Sequence, residues 1–121
     1  MAVFYVFQAP FALNGYMCLN GAMMCYVSTI NGQKYWSVDM TITKNISRII
    51  YQGGGFAYVV GTQIRAGLDP NILNDPVVAT ATVVIDWYWY FFEFETPILA
   101  RYIGATVVDT YLEVCNLLAF E

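Results

Sequence analysis

Between residues 77 and 95 apolar and polar positions alternate. Ala79, Ala81, Val83, Ile85, Trp87, Trp89 and Phe91 share one parity, while Thr80, Thr82, Asp86, Tyr88 and Tyr90 share the other. Period two with β-branched and aromatic residues predicts a strand with one buried face. A straight strand of that length would span roughly 60 Å, too long for a compact domain, and Glu93 and Glu95 fall on the apolar parity. A break or bulge near Phe91 and Phe92 answers both problems, because one extra residue exchanges the faces. The alternative is an arm projecting into a neighbouring subunit.

Asn31-Gly32 is the favoured two-residue hairpin turn. Pairing Ile30 with Gln33 sets Val27 opposite Trp36, Cys25 opposite Val38 and Met23 opposite Met40, with Tyr26, Ser28, Tyr35, Ser37 and Asp39 on the other face. Residues 2–8 and 56–64 also read as strands, 46–51 is a further candidate, and Gly67-Leu68-Asp69-Pro70 and Asn74-Asp75-Pro76 read as turns. Thr96-Pro97 has the form of a helix start. Beyond it Arg101, Ala105, Asp109, Glu113 and Asn116 step by three and four among Leu99, Ile103, Val107, Leu112, Val114, Leu117 and Leu118, which predicts a helix over 97–119. The expectation is an α+β fold: an antiparallel β-sheet with hairpins followed by one long C-terminal helix, in a single domain over 1–121 with no linker.

Composition changes the picture. Of 121 residues 59% are apolar, and only 12% are charged against roughly 25% in ordinary soluble domains. A domain of this size hides roughly two thirds of its unfolded surface. Eight Phe, ten Tyr and three Trp exceed what one small core requires. This excludes a disordered tail, a coiled coil or a highly charged monomer, and points to a surface covered by an obligate interface or by lipid. No stretch is a clean membrane span, since Gln8, Pro10, Asn14 and Gly15 interrupt the first apolar run and Gly53-Gly54-Gly55 the second. The first residues lack the basic region and apolar core of a secretion signal. A virion protein, or an assembly inside or outside the cell, fits that pattern.

Candidate chemistry is sparse. There is no His, and Cys18, Cys25 and Cys115 read as reduced core residues, so no metal, cofactor or catalytic site is expected. Glu93 and Glu95 share a strand face at a separation near that of glycosidase acid pairs, but those enzymes usually draw their acids from different elements beside a cleft, so a solvated strand end or pairing with Arg101 is the simpler reading. Asp86 is placed to hydrogen-bond Tyr88 or Tyr90. The three glycines lack the lysine of a phosphate loop. Lys34, Lys44 and Arg48 lie near Trp36 and Tyr51, a pattern that holds single-stranded nucleic acid, against a net charge of −4. Asn45-Ile46-Ser47 is a glycosylation sequon.

The hairpin over 24–42 and the passage YFFEFETPILARYIGATVVDTYLEVCNLLAF resemble the coat proteins of single-stranded RNA phages. That resemblance covers about half the chain. It implies a sheet followed by helical structure interlocked with a partner, in a shell around RNA. No binding residue is carried over from it. The expectation is therefore a non-enzymatic, self-assembling subunit of a shell, tube or filament, most simply a viral coat protein. Its partner would be itself, through Trp36, Trp87, Trp89, Tyr90, Phe91, Ile103, Val107 and Leu118, with Lys34, Lys44 and Arg48 as candidate nucleic-acid contacts. A membrane-associated or pore-forming protein with lipid-facing aromatic strands is the alternative.

Overall fold

The computed structural model describes residues 34–53, 60–83, 89–108 and 112–121, together with the backbone of two further strands, β1 (Val3–Gln8) and β2 (Tyr26–Val27). The remaining strands are β3 (Tyr35–Gln52), β4 (Gln63–Gly67), β5 (Val77–Thr80), β6 (Trp89–Thr106), β7 (Glu113–Val114) and β8 (Asn116–Phe120). Six of them form one sheet in the order β1-β8-β3-β6-β4-β5, and β2 pairs with β7. Every pairing is antiparallel.

The sheet is organised by β3 and β6, each 18 residues long. They pair from Tyr35 opposite Thr106 to Gln52 opposite Trp89. Two irregularities interrupt this ladder. Residues 40–43 of β3 oppose Arg101 alone, and residues 94–97 of β6 oppose Ser47 alone. Extra residues on one strand bend it, and bends of this kind let a strand pass from one layer to another. Pro97, which has no N–H to donate, falls where pairing has lapsed. Before the bend β4 extends the sheet beside residues 102–106 of β6; beyond it β8 extends the sheet beside residues 48–52 of β3. Trp36, Met40, Ile64 and Ile103 from the first half share one buried cluster with Ile49, Tyr51 and Leu117 from the second. The halves thus close on a common interior as a β-sandwich.

These strands overturn the α+β expectation. No α-helix occurs among the described residues, and the passage read as a helix over 97–119 continues β6 and then supplies β7 and β8. Its apparent polar stripe fails on contact with the fold, because Ala105 and Glu113 are buried. The β-branched residues that burdened the helix suit strands. The hairpin register is also wrong. Val27 pairs with Glu113 and Trp36 with Ala105, so the two are not partners, and Asn31-Gly32 lies outside the described residues. Trp36 and Met40 nevertheless point inward and Tyr35, Ser37 and Asp39 outward, as alternation requires. The tract over 77–95 is not one strand but β5 and the start of β6, with residues 84–88, including Asp86 and Trp87, outside the described set. Pairing runs unbroken through Phe91 and Phe92, and the excursion begins only at Phe94.

Both predicted turns are present around a single 3-10 turn, Ile72–Asn74. Arg65 anchors this segment, donating from Nη1 to the Asp75 carbonyl (2.8 Å) and from Nε to Thr106 Oγ1 (3.1 Å). Cys115 is disulfide-bonded, which corrects its reading as a reduced thiol; Cys18 and Cys25 lie outside the described residues.

Close approach of β3 and of the 3-10 turn to β6 demands Gly104. A Cβ there would stand 2.4 Å from the Trp36 carbonyl oxygen and 2.8 Å from Ile72 Cγ1. Backbone cannot yield as a side chain can, so Gly104→Ala is expected to lose about 3 kcal/mol, the upper end for overpacking, as measured by urea unfolding. A loss under about 0.5 kcal/mol would contradict this packing.

Candidate functional site: an aromatic and polar sheet face

Beyond the bend, Ile49 and Tyr51 of β3 point into the core, so Arg48, Ile50 and Gln52 lie on the opposite face, where Ile50 and Gln52 are nonetheless buried. Register then composes three rows across β6, β3 and β8. Glu93, Arg48 and Phe120 form the first, Phe91, Ile50 and Leu118 the second, and Trp89, Gln52 and Asn116 the third. Beneath them the inner face is stiff. The rings of Tyr51 and Tyr90 stack at 5.8 Å, those of Tyr90 and Phe92 at 6.3 Å. The Tyr51 hydroxyl donates to the Glu113 carbonyl, and that of Tyr90 to the Val83 carbonyl at 2.7 Å.

The outer face combines flat apolar surface with donors and acceptors. Phe91 is 59% exposed. The Arg48 guanidinium carbon lies 5.2 Å from the Phe120 ring centre and 5.9 Å from that of Phe91, within cation–π range of both. Glu93 Oε1 stands 4.0 Å from Arg48 Nε, too far for a hydrogen bond. That Nε is sealed from solvent without a hydrogen-bond partner. In the third row Asn116 Nδ2 donates to Gln52 Oε1 at 2.6 Å.

A second polar group sits at the bend. Arg101 donates from Nε and Nη2 to the two carboxylate oxygens of Asp39 (2.8 and 2.9 Å), with its guanidinium 5.4 Å from the Tyr102 ring centre. Arg101 thus takes Asp39, not Glu93 or Glu95. Asp39 Oδ1 also accepts from the backbone N–H of Thr41, which has φ of 72°, strained for a β-branched residue. The Arg101 hydrogen bonds, then the Thr41 N–H, hold the Asp39 carboxyl below its ordinary value of 3.8, and Asp39 in turn raises Arg101.

The residues expected at an assembly interface do not share one surface of the chain. Trp36, Tyr90, Ile103 and Val107 are buried in the chain's own core and have no surface to offer. Trp87 lies outside the described residues. Trp89 and Leu118 are half-buried on the outer face, where Phe91 is exposed. Lys34, just before β3, and Lys44 and Arg48 on it are spread out instead of gathering: Lys34 Nζ donates to the Val108 carbonyl (3.3 Å), and Arg48 alone joins the aromatic face. Sequence reasoning missed Phe120 and Asn116 because it ran a helix through most of the last two strands, where the alternation within NLLAF was the available signal; Gln52 was missed because it lies just past the 46–51 strand candidate, at the end of β3.

No family model and no curated protein matches this chain. Solved structures do. The fucolectin from striped bass (Morone saxatilis) serum is 16% identical with a TM-score of 0.69, over 90% of this chain and 40% of that one. A Streptococcus pneumoniae fucose-binding module matches over 100% of this chain and 98% of its own at 11% identity and 0.67. The family 32 carbohydrate-binding module of Clostridium perfringens NanJ, in complex with galactose, is 17% identical with a TM-score of 0.65, over 94% of this chain and 86% of that one. These likenesses establish the fold, and they correct the resemblance to RNA phage coat proteins. The coat-subunit reading falls with it, and so does the pore-forming alternative.

Asp39 titrates below its unfolded value, so its contribution is present above about pH 4 and fades as pH falls through the depressed folded value. Asp39→Asn is expected to be less stable than the native chain at pH 6, with the difference shrinking as pH falls below about 4. Urea midpoints across that range test this, and a constant difference would contradict it.

Proposed function

We propose that the chain is a non-catalytic carbohydrate-binding module that meets its glycan on the outer face of β6, β3 and β8. The observation that carries this reading is the Arg48 guanidinium set between Phe91 and Phe120 with Glu93 beside it. A sugar ring has an apolar C–H face and a rim of hydroxyls that both donate and accept. An exposed phenyl ring suits the first, and a guanidinium–carboxylate pair suits the second. The sandwich fold is that of structures described as binding fucose and galactose. Disulfide-bonded Cys115 supports a setting outside the reducing cytosol, such as a secreted or surface protein. In this reading Glu93 and Glu95, both exposed on β6, have no catalytic part.

Titration calorimetry of the purified chain against galactose, fucose and lactose is expected to show binding. Phe91→Ala and Arg48→Ala should each weaken it about tenfold, or about 1.4 kcal/mol. Phe91→Ala should leave the melting temperature near that of the native chain, since it removes exposed surface. Full affinity in both variants would move the site off this face.

A further inference from the structure

Resting on the carbohydrate reading, we infer that Glu93 is a specificity determinant that reserves the Arg48 guanidinium for uncharged sugars. Glu93 is the direct cross-strand partner of Arg48, and its carboxylate stands 4.0 Å away with its side chain 76% exposed, against 31% for Arg48. At that separation the acid offsets the positive charge without engaging the Nε–H. Nε itself is sealed, so a ligand meets the guanidinium through the part of the side chain that stays exposed (31%) and the carboxylate through its own exposed side chain (76%). A hydroxyl can accept from the guanidinium and donate to the carboxylate, so a neutral sugar meets both groups with matched chemistry. A uronic or sialic acid that brought its carboxylate to Arg48 would bring it to Glu93 as well, and like charges in so small a space repel. The two phenyl rings restrict the guanidinium to this position, so it cannot swing away from its partner to receive an anion. Specificity here comes from the repulsive element as much as the attractive one.

The matched pairs galactose and galacturonic acid, and lactose and 3′-sialyllactose, isolate charge. Calorimetry of the full chain at low salt is expected to show the neutral member of each pair binding about tenfold more tightly or better. Glu93→Gln, which keeps the shape and removes the charge, should weaken the neutral sugar a few-fold and strengthen the acidic one, narrowing the ratio to about threefold or less. Added salt should narrow the native ratio in the same direction. Tighter binding of the acidic sugars by the native chain, or an unchanged ratio in Glu93→Gln, would overturn this inference while leaving the carbohydrate reading intact. Failure of all four sugars to bind would overturn both.

Discussion

The structure depends on keeping β3 and β6 paired while both turn a corner. Straight, two strands of 18 residues would reach roughly 60 Å and leave their apolar faces open. The four residues 40–43 and the four residues 94–97 lie on opposite strands and at different heights of the ladder. Each lengthens one strand locally, so the bend is shared without breaking the pair. The first excursion contains the left-handed Thr41, fastened by Asp39, which is itself fastened by Arg101. A surface ion pair contributes little to stability by itself. This one fixes the geometry of a corner, a different service from adding a contact.

The bend also decides where the aromatic residues go. Trp36, Tyr51 and Tyr90 enter the shared interior, and Phe91 is left outside next to buried Tyr90. The surplus of apolar surface inferred from composition was in part a surplus of interior. A sandwich closed by two strands that serve both layers draws core side chains from each half, so its core takes more aromatic residues than a single-layer sheet backed by a helix. Among the described residues the exposed large apolar side chains include Ile42 and Leu99 near the bend, Phe91 on the outer face, and Leu68, Leu73 and Val77 around the 3-10 turn.

Much of the strand content was legible, and its connectivity was not. Alternation correctly pointed Trp36 and Met40 inward, and the strands at residues 2–8 and 46–51 are present within β1 and β3. Asn31-Gly32 proposed the nearest partner for its flanking segments, because turn chemistry speaks only of neighbours in sequence. The real partners of β3 are β6 and β8, far along the chain. The false helix had a similar cause. An excursion of residues 94–97 and the interruption at Cys115 reset the two-residue period, and a broken period of two mimics steps of three and four. The outer face was only half visible. Phe91 and Arg48 were noted for other reasons, whereas the rows that join them to Phe120 and Glu93 exist only through register.

Register is also what gives that face its chemistry. Arg48 has an acid on one side and a phenyl ring on the other because Glu93 and Phe120 occupy the same height on β6 and β8. A slip of one residue in either neighbour would point those side chains into the core and destroy the group. The inner face forbids such a slip, since Tyr51, Tyr90 and Leu117 are buried and could not be exchanged for the outer residues without exposing them. The packed interior, by holding the strands in one alignment, therefore specifies the surface. In a chain with few charged residues, this places one of its five cations beside an acid that balances it without consuming its hydrogen bonds.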